Sequence, residues 1–173
     1  MFIAGYFTFS GDISTKLVRF INGISSCKQH ALSKAFLHKH RETLRHIAWK
    51  EKVEDGYVLL HELFNMKLSI EDRLQMLSEK DCLPAEMPNP YCHWIIDSND
   101  RLVWDGHEEF SDCMEWLQYL IDHFFQPDGL SINGEVICYD NENMNGSFII
   151  ADHNILTTVP FQLCRKDDHW TIK

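Results

Sequence analysis

The chain offers three groups of side chains with chemical potential. Asp105, Glu108, Glu109 and Asp112 stand close together ahead of an apolar run. Carboxylates so grouped can move protons, hold a divalent cation or meet a cationic partner. They also suit a helix N-terminus, whose positive dipole end they stabilise by about 0.3–1 kcal/mol each. His38, Glu42 and His46 stand four residues apart, a spacing that lets adjacent pairs reach one ligand on a helix. Three ligands would span two turns, so surface histidines in a basic helix explain them better. Cys92, His93, His107, Cys113 and His123 cluster in sequence but lack standard zinc spacing, and Cys113 falls on an apolar stripe. A cysteine–histidine nucleophile would need members that meet in space. Walker A, G-x-S-x-G, H-E-x-x-H, the Rossmann glycine pattern and any C-x-x-C pair are absent. No catalytic residue, metal or cofactor is therefore assigned.

Charge is the most informative property. The chain has 173 residues and a formal net charge of −10. Residues 28–52 hold five Lys and two Arg against two Glu, whereas residues 85–153 hold 14 acids and one Arg. A basic stretch thus sits beside a strongly acidic body, denser in like charge than solubility requires. This layout predicts a protein partner with a basic surface, met through Asp105, Glu108, Glu109 and Asp112. A second stripe, Lys34, His38, Arg41 and Arg45, faces one way at helical spacing. It suits docking or solvation. The overall acidity and the lack of interleaved aromatics argue against nucleic acid.

The elements that must position these groups are legible in outline. Residues 2–9 are aromatic and β-branched, which predicts a strand stopped by Gly11. A helix follows over about 13–24, with Leu17, Phe20, Ile21 and Ile24 on one face. Residues 28–50 read as one long helix or two broken near His40; Tyr57–Met66 is ambiguous, and Ser69-Ile-Glu-Asp72 resembles a capping box before a helix to about Glu79. Three prolines make Cys82–Pro90 a connector. Then come a strand over 91–97, a turn at 98–100 and a return strand over 101–104. A helix over 111–125 buries Cys113, Trp116, Leu117, Leu120, Ile121 and Phe124, with Asp112 and Glu115 at capping-box spacing. A strand over 130–139 contains Gly134, a bulge or a turn with Asn133; residues 147–151 and 155–161 form a hairpin, and a polar tail starts at Arg165. Trp94, Trp104 and Trp116 belong in the core. The reading is one α+β domain over 1–173 with a helical insert at 25–85. Its antiparallel sheet has the split-βαβ (ferredoxin-like) order βαββαβ and a C-terminal hairpin.

Several short motifs carry a likeness. They are Tyr91-Cys92-His93-Trp94, Leu102-Val-Trp104-Asp105-Gly106, Glu108-Glu109-Phe110-Ser111 and Glu115-Trp116-Leu117-Gln118-Tyr119-Leu120-Ile121. Pro127, Ile132-Asn133-Gly134-Glu135-Val136 and Asp152-His153-Asn154-Ile155 complete the set. From Asn89 to about Ile155 the chain resembles a family of small uncharacterised phage and bacterial proteins. Their pattern runs W-C-x-W, W-D-G, E-K-F-Y, E-W-L-x-Y-L-I, a proline, L-N-G-x-(V/I), a G-E-D turn and D-N-x-V. Here Asp140–Met144 replaces the G-E-D turn. The resemblance implies a phage or mobile-element context and brings no activity with it.

Together these observations predict a protein-binding inhibitor, immunity or counter-defence factor. The competing reading is an enzyme, such as a metal-dependent hydrolase built on the Asp105–Asp112 loop; a third is an accessory phage protein. No secretory signal and no apolar run of membrane-spanning length is visible, so a cytoplasmic location is expected, in the host if phage-encoded. The six cysteines should then be thiols. Titration of denatured, unreduced, anaerobically purified protein should find all six.

Overall fold

Nine residues rich in aromatic and β-branched types, Phe2–Ser10, form strand β1, an interior strand of a seven-stranded sheet. The computed structural model describes residues 2–26, 29–30, 39, 58–59, 69–71, 87–89, 91–107, 110–140, 142–166 and 169–172. The chain forms two compact units. One joins Met1–Ser14 to His93–Lys173, and the other is Thr15–Cys92.

The second unit contains helix α1 (Thr15–Ser26), on which Leu17, Phe20, Ile21 and Ile24 are all buried, as their spacing predicts. Gln29 and His30 were expected to start a helix. Instead β2 (Gln29–His30) pairs antiparallel with β3 (Val58–Leu59). A pairing between residues so far apart in the chain leaves no local signal. Ile70 and Glu71 are helical. Of the predicted long helix, Lys39 is described and is helical, whereas Lys34, His38, Arg41, Arg45, Glu42 and His46 lie outside the described residues.

In the first unit, β1 pairs on one side with β5 (Arg101–Trp104), which pairs in turn with β4 (Trp94–Ile96). On its other side β1 meets β6 (Ser131–Asp140) over nine consecutive residue pairs, from Phe2 opposite Tyr139 to Ser10 opposite Ser131. The sheet continues through β7 (Asn145–Asp152), β8 (Ile155–Lys166) and β9 (His169–Ile172), all antiparallel. Between β5 and β6 runs helix α2 (Cys113–Leu120), which widens into a π turn at Ile121–Phe125 and tightens into a 3-10 turn at Gln126–Asp128. Gly129 ends it in the left-handed conformation, φ 72°.

The fold is therefore α+β, with an antiparallel sheet. Among the described residues no helix is long and apolar enough to cross a membrane. Alternation of side chains divides the sheet into two faces. Ile3, Phe7, Ile132, Val136, Cys138, Ile149 and Ala151 share the buried one. The α2 stripe lies over it, with Trp116, Leu117, Leu120 and Phe124 fully buried. Phe9 meets Phe125 edge to face, and Trp94 lies against both Phe7 and Phe110. The Trp94 indole N–H donates to the Cys113 carbonyl at 3.0 Å, tying β4 to the start of α2.

Gly134 neither makes a hairpin turn nor interrupts the strand. It has φ +134° and sits opposite Phe7, where a Cβ would lie 2.7 Å from the Tyr6 carbonyl oxygen. Only a glycine lets the two backbones approach this closely. The predicted capping box is also absent: Asp112 makes no side-chain cap, although its carbonyl accepts the Trp116 N–H at 3.0 Å. Its carboxylate accepts the Ser111 hydroxyl instead. Trp104 is only half-buried, because it ends β5 at the margin of the sheet, edge-on to Phe2.

The hairpin of β7 and β8 is longer than expected. Its turn has φ 49° at His153 and φ 69° at Asn154, the left-handed pair that a two-residue hairpin loop demands. The Asn154 side chain accepts the Ile132 N–H and donates to the Leu130 carbonyl, so the turn clasps the start of β6. The expected polar tail is instead β9, with Leu163 opposite Ile172. Trp170, Thr171 and Ile172 are strand-forming types in a run too short to stand out among charged neighbours.

Two substitutions test this packing. Trp116→Ala should lower unfolding free energy by about 3–5 kcal/mol. Gly134→Ala should cost about 1–3 kcal/mol through strain and backbone collision. Urea unfolding followed by circular dichroism reads both.

Candidate functional site

The hairpin of β4 and β5 presents one end as an ion-paired turn and the other as a histidine–carboxylate corner. At the turn, the Asp97 carboxylate accepts the backbone N–H groups of Asn99 and Arg101, at 2.9 and 3.0 Å. It also accepts two bonds from the Arg101 guanidinium, 2.9 Å from Nε and 2.7 Å from Nη2. Arg101 in turn lies over the Tyr6 ring, 4.6 Å from its centroid. The guanidinium holds the Asp97 carboxyl below the usual carboxylate range, helped by the backbone donors.

At the opposite end Asp105 donates its N–H to the His93 carbonyl at 2.9 Å. Its carboxylate takes the His93 ring at Nδ1, 3.0 Å away, and the backbone N–H of His107 at 2.9 Å. An ionised carboxylate only accepts, so Nδ1 carries the proton and the tautomer of His93 is set. His107 stacks on His93 with centroids 4.8 Å apart, and Phe110 meets the same ring edge-on at 5.0 Å. The His93 side chain is 10% exposed and that of Asp105 20%.

The sequence therefore located this corner but not the task of its acid. Asp105, which the sequence assigns to a partner surface, is exposed, and each of its oxygens also accepts an internal hydrogen bond. Asp112 is half-buried at the head of α2. Glu108 and Glu109 lie outside the described residues, as does the basic stripe Lys34, His38, Arg41 and Arg45. His93 stood out in the sequence within the Cys92, His93, His107, Cys113 and His123 cluster, without its partner Asp105. Its bond to Asp105 follows from the pairing of Trp94 with Trp104, which sets the flanking residues side by side. Among the described residues no group of three or more His, Cys, Asp or Glu side chains is arranged to hold a metal ion.

A second pair of reactive groups lies under the sheet. Cys113 and Cys138 are buried thiols with sulfurs 3.7 Å apart. The hydrogen bond they share draws the Cys113 thiol below its ordinary range. The same bond, reinforced by burial, pushes Cys138 well above it. Cys92 is also a buried thiol and Cys164 a half-buried one.

Among the described residues of this unit Asp12, Asp100, Asp105, Glu115, Asp122, Asp128, Glu135, Glu142 and Asp152 are exposed acids. No family of known proteins, no curated protein and no solved structure matches the chain.

The Asp97 turn yields a pH prediction. A carboxyl with a lower pKa in the folded state than in the unfolded one stabilises at neutral pH, and that contribution disappears as pH falls through the carboxylate range. Asp97→Asn should therefore melt below the wild type at pH 7. The gap should close between about pH 5 and pH 2, as read by thermal melts across that range.

Proposed function

We propose that this chain is a protein-binding factor that meets a basic partner through its acidic unit. The carrying observation is the charge of residues 85–153, 14 acids against one Arg, in which that Arg is already paired with Asp97. The remaining carboxylates have no cation of comparable number nearby in sequence, and their mutual repulsion is relieved when a cationic surface docks. Steering by such a field speeds encounter. The hydrolase alternative needs Asp105 to hold a cation, whereas its oxygens are engaged by His93 and the His107 N–H.

The strand order β4-β5-β1-β6, with α1 after β1 and α2 after β5, supports reading the centre of the fold as the split-βαβ, ferredoxin-like arrangement. Strands β7 to β9 then extend it on one side. The likeness to the phage and bacterial family supports only a phage or mobile-element context, the setting in which a protein-binding inhibitor, immunity or counter-defence factor of the host cytoplasm is proposed. Its motif residues Cys92, Trp94, Trp116, Leu117, Leu120 and Ile121 are all buried, so the motif speaks for a shared core.

The test is affinity capture from host lysate at low and moderate salt, followed by kinetics with the captured partner. The variant replaces Glu108, Glu109 and Asp112 by lysine. Association should slow more than dissociation speeds up, and the effect should fade as the screening length falls to about 8 Å near physiological ionic strength. A salt-independent association rate, unchanged in the variant, overturns the proposal. If these acids serve only the helix dipole, the variant instead loses a few tenths to about 1 kcal/mol of stability per site and binds normally.

A further inference from the structure

Six large apolar side chains of the sheet unit are exposed: Phe2 (51%), Tyr6 (45%), Ile137 (37%), Ile155 (69%), Val159 (45%) and Ile172 (58%). The strand register places all six on one face. Ala4, Ile137, Phe148 and Val159 form a row across β1, β6, β7 and β8, and Tyr6, Glu135, Ile150 and Thr157 form the next. Phe2, Tyr139, Gly146 and Phe161 make the row on the other side. Ile155 stands opposite Asp152, and Ile172 opposite Leu163, in the same alternation. This is the face that α2 does not cover. Half-buried Tyr139 and Phe148 lie against the Phe161 ring, at 6.4 and 5.0 Å, and fill the spaces between the exposed groups.

Four strands about 4.8 Å apart and three rows about 7 Å apart give a patch on the order of 300 Å². Scattered single apolar residues on a surface need no explanation; a patch of this size is within the range of the largest apolar patch on an ordinary monomer, which is often functional, so the charges around it carry the weight. Its charges select the occupant. Glu135 lies in the Tyr6 row and Asp152 beside Ile155, both exposed; the Asp152 carboxylate also meets the exposed His153 ring, 2.6 Å from Nδ1. Arg101, over Tyr6, has its charge taken by Asp97. A second copy of the chain, with a net charge of −10, would bring like charges together. The anionic surface of a cell membrane would do the same.

We propose that this open sheet face is the docking surface for a partner protein whose contact is an apolar stripe flanked by Lys or Arg. A cationic amphipathic helix is its minimal form. The proposal rests on the protein-binding reading above and names the surface that carries it. The apolar rows supply the burial, and Glu135 and Asp152 set the orientation against the flanking cations.

The probe is a synthetic leucine–lysine amphipathic peptide, with a leucine–glutamate peptide as control. Binding to the full chain is followed by fluorescence anisotropy. One variant, Ile137→Thr with Val159→Thr, keeps every charge; the other, Glu135→Gln with Asp152→Asn, keeps every apolar group. Thermal melts verify that both fold. The wild type should bind the lysine peptide, and each variant should bind it about tenfold more weakly. The glutamate peptide should bind far less well than the lysine one. Equal binding by wild type and both variants overturns the proposal. So does self-association, or attachment to phosphatidylcholine vesicles, that disappears in the Ile137→Thr/Val159→Thr variant. If the face variants associate normally with the captured partner while reversal at Glu108, Glu109 and Asp112 slows association, the docking surface is wrong and the protein-binding reading stands. If neither set matters, both fall.

Discussion

The close approach of β1 and β6 is the constraint on which the sheet unit depends. Gly5 and Gly134 stand on these two strands with positive φ, and a Cβ on either would strike the opposite backbone. Because side chains alternate along a strand, a slip of one residue would exchange the two faces. Phe7 and Val136, now buried, would turn outward, and Tyr6 and Glu135 would turn in. The glycines help to exclude that slip, since each fits only where the facing backbone comes closest. The same register fixes β5 through Phe7 opposite Leu102, and β7 through Gly134 opposite Ala151. It is therefore upstream of both the core under α2 and the apolar rows on the other side.

The β4–β5 hairpin illustrates how acids in an acidic chain acquire different tasks. Asp97 and Asp105 lie at opposite ends of one short hairpin. Asp97 neutralises Arg101 and organises a turn by accepting backbone N–H groups. Asp105 fixes a nearly buried imidazole and the entry to the loop ahead of α2. Each carboxylate lowers the local cost of polar groups that would otherwise lack partners. Other acids stand exposed on turns and outward strand positions, such as Asp100, Glu135 and Asp152, the last of them shared with the His153 ring.

Much of the sheet unit was legible in the residues because its signals are local. The aromatic run of β1, the stripe of α2, the β4–β5 turn and the Asp152-His153-Asn154 turn each announce themselves within about a dozen residues. What escaped depends on distant partners. Gly134 looked like a bulge or a turn because its reason is the Tyr6 carbonyl on another strand. Asp112 and Glu115 had capping spacing, yet Ser111 took the Asp112 carboxylate. Asp105 is a surface acid as its sequence neighbourhood suggests, but its bond to His93 was not legible because that histidine is twelve residues away. Alternation in β1, β6 and β8 announces strands, but it does not reveal which face another layer covers. The apolar rows were thus invisible as a surface until the strands were aligned.

Pro160 lies in β8 opposite Ser147, and among the described residues β9 covers only Leu163–Lys166 of that strand's outer side. Among the described residues the stretch from Ile155 to Gln162 is therefore, besides the outer sides of β4 and β9, a part of the sheet where a foreign strand could add itself. Pro160 offers no N–H there, and its ring crowds an incoming backbone. With Ile155 and Val159 exposed on the same strand, an uninterrupted ladder would template ribbon-like polymers. The proline disfavours edge-to-edge strand addition along the stretch where Ile155 and Val159 are on display.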